Sequence, residues 1–230
     1  MKLLKLSLLS LTATLFTSSL MAGAFDITYD FTNTGDPTSV TGDVSGTTVT
    51  PVGYGGWATI GGETVQFRSN FTPSAQSDTD YIAFTLTSTT PGESLDFTSF
   101  AFSLGGRDGN ANTSIVSVNL RIGETGADFS SLPDVVFMPG SVSTATHTVV
   151  GPTSNTFTDY TADLSAPAYQ DMESAEVRLY YFDNTGGSNM YGAIDYISMS
   201  GASVVPEPSS IVLLLGSIAF MCAFMLKRRR

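Results

Sequence analysis

The chain has 230 residues, of which 13% are charged, and a formal net charge of −11. Globular proteins usually contain about 25% charged residues, so the charged fraction of this chain is roughly half the usual one. Residues 25–203 hold four arginines, no lysine and 20 acidic residues, which gives this stretch a net charge of −16. Because a surface this acidic repels phosphate backbones, the composition argues against a nucleic-acid partner.

The first 24 residues have the three parts of a secretory signal peptide. Basic Met1–Lys5 precedes an apolar run at 6–20, and Ala22 and Ala24 place small residues at the two positions that a signal peptidase inspects. The pattern predicts a signal helix, export by Sec-type machinery and cleavage by signal peptidase after Ala24. A buried N-terminal helix is the alternative for residues 1–24.

Residues 25–203 form the predicted exported domain, and their pattern is that of an all-β protein. Gly, Ser, Thr and Asp recur every few residues, and they separate short β-rich runs. Because no repeat of roughly 20–50 residues is visible, we expect an antiparallel two-sheet sandwich of jelly-roll type rather than a solenoid or propeller. The predicted strands are Phe25–Phe31, Val44–Pro51, Gly56–Ile60, Thr64–Arg68, Tyr81–Ser88, Phe97–Leu104, Ile115–Ile122, Thr146–Val150, Thr156–Leu164, Ala175–Phe182 and Tyr191–Met199.

The predicted strand Ile115–Ile122 shows the alternation most clearly. From residue 116 to residue 122 every even-numbered position is Val, Leu or Ile, whereas Ser117, Asn119 and Arg121 lie between them. Successive side chains of a strand point to opposite faces of its sheet. We therefore expect antiparallel sheets with one face in the core and one face in solvent.

The closing strands carry a family resemblance. Glu176–Phe182, a polar loop and Ala193–Met199 resemble the last two strands of carbohydrate-binding-module-like jelly rolls, which implies a binding module without fixing its ligand. Trp57 and Tyr180 are candidate glycan-stacking residues, because flat apolar rings with polar rims match the faces of sugars. Core packing or loop anchoring is the alternative for both.

Acidic residues suggest a structural calcium ion as the one cofactor. The jelly-roll resemblance implies an ion held between the last and first strands, where Asp195 would act with Asp26 or Asp30. The loop Asp108–Asn112 also places oxygen ligands at alternate positions, but Thr113 stands where an EF-hand needs glycine. A hydrogen-bonded Asx-turn is the alternative for that loop.

The exported region lacks the signatures of common enzymes. His147 is the only histidine, and because no Gly-x-Ser-x-Gly accompanies it, we expect it on a strand surface rather than in a Ser-His-Asp triad. With one histidine and no exported cysteine, a His/Cys zinc site is excluded. The acid pairs Asp78/Asp80 and Asp171/Glu173 could serve a glycosidase, but both are expected in solvated loops. We predict no enzyme; a polysaccharide hydrolase or lyase on the same scaffold is the alternative.

Residues 204–230 form a second targeting signal. An uncharged apolar run at 211–226 spans ~24 Å as a helix and can cross a bilayer when flanking basic residues snorkel to its surface. Basic residues beyond it stay cytoplasmic, which leaves the domain outside. Cys222, the only cysteine, lies in this run, so the exported region can form no disulfide. The motif before the run is Val205, Pro206, Glu207 and Pro208, and the basic end after it is Lys227, Arg228, Arg229 and Arg230.

The order of motif, apolar span and arginine cluster resembles the PEP-CTERM protein-sorting tail. The resemblance implies recognition by an exosortase, a membrane-embedded cysteine transpeptidase that cleaves near Pro206–Pro208, in a Gram-negative bacterium that makes exopolysaccharide. We therefore expect anchoring in the inner membrane, processing, and release to the cell surface or biofilm matrix. There the domain is predicted to be a structural or weak glycan-binding module. A plain tail anchor is the alternative.

Overall fold

The computed structural model describes residues 23–31, 35–53, 57–60, 64–67, 76–108, 113–150, 156–183 and 190–205, with only the backbone described at 57–60, 64–67, 107–108, 150, 183 and 190–191. These ranges form thirteen β-strands and one turn of 3-10 helix at Pro167–Tyr169, which confirms the predicted all-β class. None of their helical segments is long and apolar enough to span a bilayer. The predicted signal helix as far as residue 22 and the predicted helix 211–226 lie outside the described residues.

The first sheet has seven strands and is antiparallel at every pairing found in it. Its main order is β11-β8-β13-β1-β2, and β6 pairs with β13 and with β5. The strands of this sheet are β1 (Gly23–Tyr29), β2 (Ser39–Thr41), β5 (Trp57–Ile60), β6 (Thr64–Phe67), β8 (Ser94–Asp108), β11 (Phe157–Asp163) and β13 (Met190–Val204).

The second sheet has six strands, also antiparallel. Its main order is β10-β9-β12-β7-β3, and β4 pairs with β7 beside β3. Two stacked antiparallel sheets confirm the predicted sandwich. The strands of this sheet are β3 (Val44–Gly46), β4 (Thr50–Val52), β7 (Tyr81–Ser88), β9 (Thr113–Glu124), β10 (Ala145–Val150) and β12 (Ser174–Asp183).

The space between the sheets is filled largely by aromatic rings. Phe102 stacks on Tyr160 with ring centroids 5.6 Å apart and approaches Phe137 at 5.3 Å, and Phe25 meets Phe97 edge to face at 5.8 Å. Full burial of one such side chain contributes about 1.5–3 kcal/mol, and a favourable ring pair adds about 0.5–1.5 kcal/mol. Because residues 25–203 contain no cysteine and can form no disulfide, this packing holds the two sheets together.

The N-terminal and C-terminal strands are neighbours in the first sheet. β1 pairs with β13 along its whole length, from Gly23 opposite Ser203 to Tyr29 opposite Ile197. On its other edge β13 pairs with β8 as far as Val204 opposite Ser94. The described chain therefore begins and finishes at the same end of the sandwich, and β1 starts two residues before the predicted signal-peptidase product.

Candidate functional site

The outer face of the six-stranded sheet, which points away from the aromatic core, carries polar side chains of β7, β9 and β12. The prediction that the polar side of β9 lies in solvent is wrong, because Ser117 is 0% and Asn119 7% exposed. Segment 125–135 covers this side. The side chains of Phe129 and Leu132 lie over Gly123, where a methyl group would collide with Leu132.

Two arginines lie side by side on this face. Arg121 on β9 and Arg178 on β12 are direct cross-strand partners, an arrangement in which like charges repel. Carboxylates offset the repulsion: Arg121 donates from Nε to Asp134 at 2.7 Å and from Nη1 to Asp78 at 3.2 Å, and Arg178 donates from Nε to Glu176 at 2.6 Å. Burial alone would lower the pKa of Arg121, but the hydrogen bond and charge of Asp134 reverse that effect and raise it.

The guanidinium of Arg178 lies between two aromatic rings. Its Cζ is 4.3 Å from the ring centroid of Tyr81 and 3.9 Å from that of Phe129. Contacts of this kind contribute from about 0.5 kcal/mol at exposed sites to about 2 kcal/mol when desolvated. The side chain of Arg178 is 19% exposed and Tyr81 is half-buried, so one edge of the stack reaches solvent. We call Tyr81, Arg178 and Phe129 the arginine–aromatic stack.

Next to the stack, three side chains each have a buried polar atom that has no hydrogen-bond partner in the described part of the chain. These atoms are Nε2 of Gln76, Oγ of Ser117 and Oδ1 of Asn119. The remaining amide atoms are engaged, since Asn119 Nδ2 donates to Gln76 Oε1 at 2.7 Å and to Asp134 at 3.1 Å. An unpartnered buried polar atom costs about 1–3 kcal/mol. Because their unpartnered atoms are buried, these three residues, the polar triplet, can gain hydrogen bonds from ordered water.

The two predicted glycan-stacking residues lie on different sheets. Tyr180 is on the outer face of β12, with its ring centroid 5.6 Å from that of Tyr81 and 5.2 Å from Cζ of Arg121. Its side chain is 0% exposed, so it supports Tyr81 from the side and offers no open ring face in this conformation. Burial raises the pKa of Tyr180 although the neighbouring arginines oppose the shift. Trp57 belongs to β5, of which only the backbone is described, and its role stays a prediction.

The predicted calcium ligands are spread along the seven-stranded sheet. Asp26 pairs with Ser200, five residues from Asp195, which at ~3.4 Å per residue puts about 17 Å between them. Asp30, just past the end of β1, is nearer to Asp195 in this register. The described ranges contain no group of three or more His, Cys, Asp or Glu side chains able to hold a metal ion. The other predicted calcium site, the loop Asp108–Asn112, lies outside the described ranges at residues 109–112. Calcium binding by Asp30 and Asp195 stays a prediction.

The predicted surface position of His147 is wrong. This side chain is 6% exposed and lies on the inner side of β10, opposite buried Val116. Its Nδ1 is 2.9 Å from Oγ1 of Thr158 and its Nε2 3.3 Å from Oγ1 of Thr156, and burial lowers its pKa. These contacts connect β10 to β11, and neither brings His147 a carboxylate of the kind that orients a triad histidine.

Three of the four acids in the two pairs are exposed as predicted, and the fourth, Asp80, is half-buried. Asp78, Asp171 and Glu173 all lie at the surface. Asp78 forms a salt bridge with Arg121, and Asp171 accepts a hydrogen bond from Ser94 Oγ at 2.8 Å. These contacts neutralise or stabilise the carboxylates.

Sequence analysis missed the loop residues of the outer face. Phe129, Asp134 and Gln76 belong to polar segments between strands, and no spacing rule connects them to β9 or β12. One signal was available: Phe129, Leu132 and Val135 are apolar positions in an otherwise polar loop, and the buried pair Phe129 and Val135 shows that this loop packs against the sheet.

No family model matches this chain, and no curated protein matches it. Solved structures that resemble it include the xylan-binding module CBM15, with 10% identity, a TM-score of 0.41 and coverage of 76% of this chain and 95% of that one. A family 29 carbohydrate-binding module from Piromyces equi is 13% identical, with a TM-score of 0.37 and coverage of 77% of this chain and 90% of that one. The K1 adhesin domain of Lys-gingipain from Porphyromonas gingivalis is 16% identical, with a TM-score of 0.37 and coverage of 76% of this chain and 96% of that one.

Proposed function

We propose that this chain is a non-enzymatic, exported β-sandwich protein that an exosortase-like transpeptidase delivers to the surface or matrix of a Gram-negative bacterium. There the outer face of the six-stranded sheet binds neutral exopolysaccharide. The observation that carries the binding role is the arginine–aromatic stack, one edge of which reaches solvent on this sheet face.

The chemistry of this face suits sugars. Tyr81 is half-buried, and a tyrosine ring offers a sugar a flat apolar surface with a polar rim. The net charge of −16 at residues 25–203 repels uronic-acid polymers at low salt. Neutral polysaccharides avoid that repulsion.

The sorting role rests on the order of the tail. The signal peptide directs export, the apolar run 211–226 and its basic end hold the precursor in the inner membrane, and cleavage near Pro206–Pro208 releases it. The motif follows the last strand closely, since β13 extends to Val204. A processing enzyme would therefore meet the motif immediately beyond the folded domain.

Intact mass and cell fractionation of the native protein test the sorting role. The wild-type product should lack both ends and leave the membrane, whereas Glu207→Ala and Pro208→Ala should keep the full tail and remain membrane-bound. Deleting residues 211–230 should abolish membrane retention. A wild-type protein that keeps Arg230 and stays in the membrane would reduce the tail to a plain anchor.

Affinity electrophoresis of the processed protein tests the binding role. Gels containing neutral polysaccharides (xylan, mannan or a β-glucan) should retard it more than gels containing alginate. Tyr81→Ala should weaken binding about 3–10-fold, because an aromatic contact contributes about 0.5–1.5 kcal/mol. Tyr196→Ala, which removes a tyrosine from β13 of the other sheet, is the matched control. Equal losses in the two variants, or no retardation by any neutral polymer, would contradict the proposal.

A further inference from the structure

Both ends of the described chain leave the sandwich side by side. Gly23 and Ser203 are cross-strand partners, so their Cα atoms are about 4.5–5.5 Å apart. Oγ of Ser203 also lies 3.5 Å from the carbonyl oxygen of Gly23. Gly23 is the penultimate residue of the predicted signal peptide 1–24, and the sorting motif follows Val204 directly.

The position of Val204 leaves little chain between fold and tail. Val204 still pairs with Ser94 of β8, so Pro206 stands two residues beyond the sheet, a reach of at most about 7 Å. The other end of β13 is distant, because its 15 residues from Met190 span about 45–50 Å at ~3.3 Å per residue.

We infer that the end of the sandwich formed by Gly23, Ser203 and the 89–93 turn faces the bilayer in the precursor, whichever hydrophobic segment anchors it. The opposite end, where β8 passes into β9, points about 45 Å outward. The partner of this end is the lipid surface itself. The inference rests on the proposed membrane insertion of the signal and tail, and adds that both segments can lie in one bilayer while the domain is folded.

The same geometry predicts that cleavage of either the signal peptide or the C-terminal tail leaves the orientation of the domain relative to the membrane unchanged. Removal of the signal peptide leaves the tail attached to the end of β13, and loss of the tail leaves an uncut signal peptide attached to the start of β1, its sheet neighbour. The outer face of the six-stranded sheet then stands along the membrane normal in both forms. Polymer can therefore approach that face from the side before and after either cleavage.

Fluorescence quenching in vesicles tests the orientation. The full chain carrying Cys222→Ser is made in a host without a sorting transpeptidase and is reconstituted in phosphatidylcholine vesicles with a nitroxide on the headgroup. A fluorophore is attached at Thr89→Cys, beside the chain ends, or at Thr113→Cys, at the start of β9; both positions are exposed. Quenching at residue 89 should exceed that at residue 113 at least threefold.

A form anchored only by its signal peptide tests whether the orientation depends on the C-terminal tail. The double variant Ala22→Leu/Ala24→Leu, which blocks signal cleavage, is combined with deletion of residues 211–230, so that only the N-terminal segment holds the protein. The same preference for residue 89 is expected. Membrane-bound protein with equal or reversed quenching in either form would overturn the inference and leave the proposed anchoring intact. Failure of both forms to bind vesicles would overturn the two together.

Discussion

Arg121 contacts two carboxylates that differ in exposure, and this difference separates their contributions to stability. Asp134 is 23% exposed and accepts from Nε at 2.7 Å, whereas Asp78 is 59% exposed and accepts from Nη1 at 3.2 Å. Asp134→Asn should lower the free energy of unfolding by about 1–3 kcal/mol, because it leaves Arg121 undercompensated beside Arg178. Asp78→Asn should cost less than about 1 kcal/mol. Urea unfolding checks both values, and equal losses would contradict the assignment.

Ser117 tests the polar triplet directly. Its Oγ is buried without a partner in the described chain, so Ser117→Ala should leave the free energy of unfolding unchanged or raise it by about 1 kcal/mol. The measurement is urea unfolding of ligand-free protein. A decrease of similar size would show that Oγ has a partner, such as a bound water that bridges it to Asn119.

Individual side chains were predictable in direction but not in burial. The alternation of β9 placed Ser117, Asn119 and Arg121 on the face away from the core, and they lie there. Burial of that face depends on Phe129 and on other residues of segment 125–135, which reach it only because the chain folds back. Periodicity describes one strand at a time, and it contains no information about a loop that lies over several strands.

At the scale of elements, the crowded contact between β1, β8 and β13 makes Gly201 sensitive to substitution. A methyl group there would overlap the carbonyl oxygen of Asp96 and the ring of Phe25. Gly201→Ala should therefore lower the free energy of unfolding by about 2 kcal/mol or more. Gly92→Ala is the control, because a methyl group there has no atom within 4 Å. Its only cost is the strain of an alanine at a φ of +82°, which lowers the free energy of unfolding by about 1–2 kcal/mol.

Circular dichroism melts would rank these two glycine variants. The close approach of β1 and β8 to Gly201 of β13 requires that Gly201→Ala be the less stable. If Gly92→Ala melts at the lower temperature, backbone conformation outweighs packing and the contact is looser than described.

One predicted element is two in the structure. The run Val44–Pro51 was predicted as one strand, but β3 and β4 are separated at 47–49. Val49 turns into the core with 0% exposure, and its N–H donates to the carbonyl of Gly35. The carbonyl of Thr47 accepts from the hydroxyl of Tyr29 at 3.1 Å. These partners lie 14 to 18 residues away in sequence, so local β propensity could not predict the interruption.

At the scale of the whole molecule, the buried link between β10 and β11 makes stability depend on pH. Burial lowers the folded-state pKa of His147 below the ordinary value of 6.5. As the pH falls through and below 6.5, the unfolded chain takes up a proton that the folded chain resists, so the free energy of unfolding falls. Urea unfolding between pH 7.5 and pH 5 should show this decrease.

His147→Gln should flatten the pH dependence over that range. Asp128 and Asp163 also have lowered pKa values, because the Ser130 and Ser165 hydroxyls donate to them. Their stabilising contributions are lost only below their ordinary value of 3.8. An undiminished slope in His147→Gln between pH 7.5 and pH 5 would assign the effect to another group.

The pairing of β1 with β13 also fixes when folding can finish. Gly23 and Ser203 are separated by 180 positions in the chain, and the export that we propose would deliver residues in order from the N-terminus. β13 occupies the middle of its sheet, so β1 has no partner on one edge until nearly the whole domain has crossed the membrane. Contacts of such high sequence separation form slowly. A chain truncated before Met190 would expose long unpaired edges to proteases, and this exposure would let the cell discard incomplete copies before the proposed delivery to the surface.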